Sequence, residues 1–351
     1  MNNNKIRIGL IGAGANTKLR HIPGFQKLDN VEIISVANRS TDSSRKIAKK
    51  YNIPVIHKDW KTLIEDSNID AVCIGTWPNM HHTLVTESLK NNKHVLTEAR
   101  MAMNAQEAHN MLNASKKSPH LIAQIVPAPI TFKVDSTIKR IIQEDVLGDI
   151  LSVDLSAHND ASNNGGFLDE AAPFFWRDNI DLSGYNIMQM GIWYETLMRW
   201  LGPAKSVISI TKVNVKKRKN ENNDQEYISI PDHVEILSEL YIGAIAHMRF
   251  SSVTGLAPDD KVWIFGSKGT LMLDINKMDI YMGTKNDSNL SKISIPKKDQ
   301  GAWRVEEEFI NAIRGSEEIT HTNFQDGVKY MEFTEAVTKS MQLEKKINLP
   351  L

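Results

Sequence analysis

Four short stretches carry residue types that can hold a dinucleotide and act on a small polar molecule. The first is Ile6 to Arg20, IRIGLIGAGANTKLR. Its apolar run (Ile6, Ile8, Leu10, Ile11) breaks at Gly12-Ala13-Gly14, the pattern of a buried parallel strand turning into a helix. Gly12 permits a tight turn, and Gly14 omits a Cβ that would keep phosphates away. The N–H groups that follow, at Ala15 and Asn16, open a helix toward negative charge. Thr17 stands at the third position of G-x-G-x-x-G, so the match is partial, and a glycine-rich turn without a ligand is the structural alternative.

The second stretch is Asn38-Arg39-Ser40, after the apolar run VEIISVA. No carboxylate stands there to bind ribose hydroxyls. Arg39 with its two small polar neighbours suits a 2′-phosphate, which favours NADP(H); an Arg39 stacked on adenine keeps NAD(H) as the alternative. The third is GTWPNMHH, Gly75–His82, where Thr76, Trp77, Pro78 and Asn79 suit a loop passing the nicotinamide side of a cofactor. His81 either touches the ligand or caps the next helix. The fourth contains Glu98 and Arg100, at the carboxyl end of the run HVLTE. They position a ribose and a polar substrate, or form a plain surface ion pair.

The elements that must hold these residues are legible as alternating strand and helix signals. Strands are expected at Ile6–Ile11, Val31–Ala37, Pro54–Ile56, Ala71–Thr76, His94–Glu98 and Leu121–Val126. Helices are expected at Lys18–Leu28, Thr41–Tyr51, Trp60–Glu65, His82–Lys90 and Ala105–Lys116. Right-handed crossovers make this an α/β, doubly wound parallel sheet. Pro127 and Pro129 mark a change of character. A helix over Val134–Gln143, a strand over Ile150–Ser156, a polar loop from His158 to Gly166 and a helix over Tyr185–Leu201 lead into a series of strands. These, between Val207 and Met282, suggest an antiparallel sheet, with Gly243 in a hairpin turn. Lys216–Glu226 reads as a charged loop, and helices over Arg304–Arg314 and Gly327–Gln342 close the chain. The expected domains are 1–126 and 127–351.

The 351 residues suit two cores, and 41% of them are hydrophobic. Lys+Arg and Asp+Glu balance at 42 each, so no global field attracts nucleic acid or an anionic membrane. There is no apolar run long enough for a membrane span, and MNNNKIR lacks the apolar core of a signal peptide. Cys73, the single cysteine, reads as a buried inert thiol. A cytoplasmic protein is expected, with no metal, because the histidines lack ligand spacing.

The order of motifs resembles the Gfo/Idh/MocA oxidoreductase family: G-x-G, a TxPNxxH-like loop, H-V-L-x-E-x-[KR]-M-A and a β-rich second half. The resemblance extends to GPAKSV, VWIFGSKGTLML, EEEFINAIRG and DGVKYMEFTEAV. It implies an N-terminal Rossmann domain and a C-terminal α/β domain with a large, mostly antiparallel open sheet. It also implies a homodimer or homotetramer formed through that sheet, bound NAD(P), and a sugar-, polyol- or glycoside-like substrate.

Two departures bear on mechanism. The family's Glu-Lys-Pro is Glu98-Ala99-Arg100 here, and arginine stays charged, so it orients a hydroxyl or supports an alkoxide but does not shuttle a proton. The family's D-x-G-x-H-x-x-D corresponds to Gln189–Thr196, with Gln189 for the aspartate and Trp193 for the histidine. Replacement proton carriers are Tyr185, on one helix face with Gln189 and made more acidic by Arg100, and His158 at a strand end. Trp176 and Arg177 suit the substrate or phosphate side, and Trp193 suits stacking on a sugar ring. The reading is an NAD(P)-dependent oxidoreductase acting on a secondary alcohol or ketone carbon. Its alternatives are a net redox-neutral glycoside cleavage by transient oxidation and a non-catalytic dinucleotide sensor.

Overall fold

The computed structural model describes residues 5–158, 166–185, 187, 189–258 and 260–351. Residues 159–165 of the expected polar loop lie outside them. The chain forms two compact units: 1–127 with 304–331, and 128–303 with 332–351. The second unit had been expected to run unbroken to the C-terminus, whereas 304–331 returns to the first.

The first unit is built on β1 (Ile6–Ile11), β2 (Val31–Ala37), β3 (Val55–Ile56), β4 (Ala71–Ile74), β5 (His94–Thr97) and β6 (Ala123–Ile125). They form one parallel sheet in the order β3-β2-β1-β4-β5-β6, the doubly wound order expected. All four residues of β4 are buried, as a central strand covered on both faces requires. Its helices are α1 (Ile22–Gln26), α2 (Thr41–Tyr51), α3 (Trp60–Ile64), α4 (Pro78–Lys90) and α5 (Ala105–Lys117). Ser40, Asp59 and Asn104 cap α2, α3 and α5 by accepting from backbone N–H groups one turn on. α4 starts earlier than expected because Pro78 takes the first helical position, where its missing N–H costs nothing.

The first helix also departs from expectation. A π turn, Thr17–His21, precedes α1, and the Ile22 N–H reaches back to the Thr17 carbonyl. Pro23 follows directly and has no N–H with which to continue a regular ladder.

The second unit opens with α6 (Phe132–Gln143), then β7 (Ile150–His158), α7 (Ile180–Ser183) and α8 (Met190–Leu201). The remaining strands are β8 (Ala204–Lys212), β9 (Lys217–Lys219), β10 (Gln225–Tyr227), β11 (His233–Leu240), β12 (Ile245–Ser251), β13 (Lys261–Gly266), β14 (Gly269–Asp274), β15 (Asp279–Thr284), β16 (Ser291–Lys292) and β17 (Ile347–Asn348). Nine of the strands form a sheet ordered β16-β15-β14-β13-β7-β12-β11-β8-β17, antiparallel except between β7 and β12. The segment read as a charged loop is instead a hairpin of β9 and β10. Its turn is closed by Asn220 Oδ1, which accepts from the Asn222 and Asp224 N–H groups, and by Asn223 at a φ of 69°.

The helix expected over Tyr185–Leu201 is shorter. Gly184, at φ 60° and ψ −157°, ends α7, and α8 begins only after Gln189. Tyr185 and Gln189 therefore do not share a helix face. The chain returns through α9 (Val305–Ile313) and α10 (Phe324–Leu343); α10 belongs to the first unit as far as Met331 and to the second beyond it. Among the described residues no helix is long and apolar enough to cross a membrane.

Candidate functional site

At the carboxyl end of β1, Gly12 has a φ of 80°, which L side chains rarely adopt. The turn packs directly on the end of β4. A Cβ on Gly75 would stand 2.0 Å from Thr17 Oγ1 and 2.2 Å from the Gly12 carbonyl oxygen. A Cβ on Gly14 would meet the Gly75 carbonyl at 3.0 Å, so this glycine serves the close approach of two turns as well as any approach of phosphate. Asn38 is spent on the same loop. Its Oδ1 accepts from the Ala13 N–H at 2.7 Å and its Nδ2 donates to Ser43 Oγ at 3.1 Å. Ser40 is occupied as the α2 cap. Of the three residues expected at the ribose end, this leaves Arg39, exposed and 5.7 Å from the centre of the Trp77 ring. Ala15, in the glycine turn, is exposed.

The loop after β4 shows buried polar atoms in search of partners. Among the described residues, Thr76 Oγ1 and Asn79 Oδ1 are buried and find no hydrogen-bond partner. Such atoms are costly unless something else satisfies them. His81 is not open to a ligand. It is fully buried within α4, with Nδ1 2.8 Å from the Arg100 carbonyl oxygen and Nε2 3.1 Å from that of Thr76. Burial lowers its pKa against those hydrogen bonds. The ring sits between two loop backbones and, as a neutral imidazole, donates to one of the two carbonyls, a placement that neither expected alternative described.

Glu98 lies just past β5. Asn16 Nδ2 donates to its Oε1 at 2.6 Å, and His21 Nε2 lies 3.0 Å from the same oxygen. Burial raises the Glu98 pKa, but the bonds and charge of His21 and the Asn16 amide more than reverse this and hold the carboxyl below its ordinary value. Arg100, half-buried, follows across a cis Ala99–Arg100 peptide. Of the two alternatives for Glu98, a plain surface ion pair does not describe it, since its carboxylate pairs with the buried His21. His21 was missed: its other partner, Glu306, lies 285 positions away, and no local pattern announces the contact.

In the second unit, His158 ends β7 with its backbone N–H and Nδ1 both on Asp260 Oδ1. Tyr185 is half-buried, and its hydroxyl accepts from Gln342 Nε2 at 3.2 Å. Trp176 is half-buried, with the Arg177 guanidinium 4.4 Å above its ring. Trp193 is a core residue, 1% exposed, and donates through Nε1 to Gln189 Oε1 at 3.2 Å. Stacking on a sugar ring is closed to it in this conformation. Tyr194 and Glu195 are likewise structural. Tyr194 stacks on Phe333 at 3.6 Å and accepts from the Ala204 N–H, while Glu195 accepts from the Ala128 N–H. Among the described residues no group of three or more His, Cys, Asp or Glu is placed to hold a metal ion.

Two family models match. One, the oxidoreductase family with an NAD-binding Rossmann fold, covers residues 6–124; the other, the GFO/IDH/MocA C-terminal domain, covers 136–272. The chain belongs to the Gfo/Idh/MocA family. A relative named glycosyl hydrolase family 109 protein 1, from Bacteroides thetaiotaomicron, is 28% identical over 213 residues, 58% of this chain and 42% of the relative. Myo-inositol 2-dehydrogenase of Thermotoga maritima is 30% identical over 113 residues, 32% of this chain and 34% of that one. The chain thus spans less than half the length of either. Levoglucosan dehydrogenase in complex with NADH and L-sorbose has the same fold, with a TM-score of 0.85 at 17% identity, covering 99% of each chain. Gly12, Thr76, Asn79 and Glu98 lie at or just past the carboxyl ends of β1, β4 and β5, the side of an open α/β sheet on which ligands bind.

Proposed function

We propose that this family member is an NAD(P)-dependent oxidoreductase acting between a secondary alcohol and a ketone carbon of a sugar-, polyol- or glycoside-like substrate. The observation that carries the reading is the set of polar atoms at the strand ends. Thr76 Oγ1 and Asn79 Oδ1 are buried without protein partners, and Glu98 engages protein only through Oε1 among the described residues. These atoms fit a nicotinamide riboside, and the turn at Gly12 fits a pyrophosphate. A bound nicotinamide supplies or accepts the hydride. Arg100 orients the reacting oxygen and offsets its developing charge. His158 is the favoured proton carrier over Tyr185, because Asp260 occupies its Nδ1 and leaves Nε2 to hold the proton. Titration with NADH and NADPH, then assay of reduced nicotinamide against a panel of sugars and polyols, tests the reading. Failure to bind either dinucleotide would sink it.

NADPH is expected to bind more tightly than NADH, since Arg39 is the charged residue left at the ribose end. Arg39→Ala should weaken NADPH by about 1–3 kcal/mol and leave NADH nearly unchanged, as loss of a charge-assisted hydrogen bond implies. Equal losses for both cofactors would assign Arg39 to adenine stacking instead.

A second reading has a specific observation behind it, the match to a relative named as a glycosyl hydrolase. Net redox-neutral cleavage would show as glycoside turnover by the loaded protein with no added dinucleotide.

Self-association is proposed through the outer face of the large sheet. Ile208 and Leu237 are cross-strand partners, and with Ile210 and Ile245 they are between 44% and 77% exposed. Sedimentation at micromolar concentration should show a dimer or tetramer, and the double variant Ile208→Asp, Leu237→Asp should sediment as a monomer. A monomeric parent refutes the proposal.

A further inference from the structure

The first unit contains a buried charged cluster of which the proposed reaction uses only Glu98. His21, the last residue of the π turn, is 0% exposed. Its Nδ1 lies 2.5 Å from Glu306 Oε1 and its Nε2 lies 3.0 Å from Glu98 Oε1. Each ring nitrogen faces a carboxylate oxygen. A neutral imidazole can donate to one of them; only the imidazolium donates to both. Gly24 makes room for this arrangement, since a Cβ there would stand 2.6 Å from the Glu306 carboxyl carbon. Glu98 Oε1 takes a second hydrogen bond from Asn16, which belongs to the glycine turn. One side chain thus joins the returning helix α9, the end of β5 and the first loop.

Among the described residues both hydrogen-bonding contacts of Glu98 fall on Oε1, so they orient the carboxylate without occupying Oε2. We propose that His21 is a positioning residue: as an imidazolium clamped by Glu306, it holds Glu98 ionised and aimed so that Oε2 is presented to the ribose hydroxyls of the dinucleotide's nicotinamide end. This rests on the dinucleotide reading above. An ionised acceptor with a fixed geometry binds a hydroxyl more strongly than a mobile or protonated one.

The titration of the ring follows from its surroundings. Burial opposes its charge, but the hydrogen bonds and charges of Glu306 and Glu98 outweigh burial and raise its pKa to about 9. The raised value means that the charged ring's contribution is fully present below the ordinary histidine pKa and is lost as pH rises through about 9. Two other titratable groups couple to Glu98. The His81 ring of α4 is pushed down by burial, and the Cys73 thiol of β4 is pushed well up by burial and by Glu98 and Glu306. Neither changes charge where His21 does.

The experiment is equilibrium binding of NADH and NADPH from about pH 7 to about pH 10, on the full chain and on His21→Gln and Glu306→Gln. The parent should lose about tenfold in affinity for both cofactors across that range. His21→Gln, which cannot carry the charge, should start about tenfold weaker and show no alkaline fall. Glu306→Gln, with one of the two clamping carboxylates gone, should begin its fall at lower pH. A purely structural role would lower the melting temperature of these variants without moving the pH profile of binding. A folded His21→Gln that keeps the parent's affinity and profile overturns the proposal. If that variant does not fold, a Glu306→Gln profile identical to the parent's does so. A parent that binds neither cofactor at any pH fails the dinucleotide reading itself, which is a different and separately visible result.

Discussion

Arg100→Met is expected to cut turnover by about two orders of magnitude or more while leaving the fold and dinucleotide affinity nearly intact. The size follows from the role. A donor aimed at an oxygen that gains charge only in the transition state is worth about 10²–10³ in rate when removed. Methionine keeps the length and apolar stem of the side chain and removes only the guanidinium. His81 Nδ1 lies 2.8 Å from the Arg100 backbone carbonyl, a contact that the substitution leaves in place. Arg100→Lys is the sharper comparison. The ammonium is titratable and lacks the planar fork, so it exchanges bidentate positioning for a group that can release a proton. This variant should stay active, with a pH–rate profile that gains or shifts a limb. Full turnover by Arg100→Met on an identified substrate would move the oxyanion chemistry elsewhere. His158→Asn and Tyr185→Phe would then be compared to find the proton carrier.

Gly75→Ala is expected to be the most damaging single methyl in the first unit. Its Cβ would sit 2.0 Å from Thr17 Oγ1 and 2.2 Å from the Gly12 carbonyl oxygen. Thr17 is buried, and the Gly12 carbonyl belongs to a turn held at positive φ, so neither can yield cheaply. Overpacking of this kind costs about 3 kcal/mol or more where backbone must move. The turn that shifts is also the one proposed to hold the pyrophosphate, so dinucleotide affinity should collapse in whatever protein remains folded. Gly315→Ala separates sterics from conformational strain. Gly315 has a φ of 69° with nothing within 4 Å of an added Cβ, so only the strain of positive φ applies, about 1–2 kcal/mol. Equal denaturation midpoints for the two variants would refute the steric account.

The parallel sheet was legible because its determinants are local. β1, β4 and β5 are short apolar runs ended by glycines or polar residues, and Ser40 and Asn104 announce their helices as caps. Where local signals conflict, the reading went astray. Gly184 splits what the apolar periodicity presents as one helix from Tyr185 onward, and an asparagine-rich turn closes a hairpin that composition presents as a charged loop.

At the candidate site, residue type revealed which loops matter but not which atoms are free. Asn38, Ser40 and His81 have side chains suited to a ligand, yet each is consumed by the protein's own backbone. Trp193 has the ring for a sugar and lies in the core because its helix turns that face inward. By itself the sequence determined the strand–helix alternation, the glycine turn and the absence of a net field, since these depend on neighbours in the chain or on composition alone. Only the tertiary structure decided that His21 lies between Glu98 and Glu306. The three residues are brought together from a π turn, a strand end and a returning helix, and the ring's pKa is raised because the fold sets two carboxylates against it, whose hydrogen bonds and charges outweigh the burial that opposes its charge.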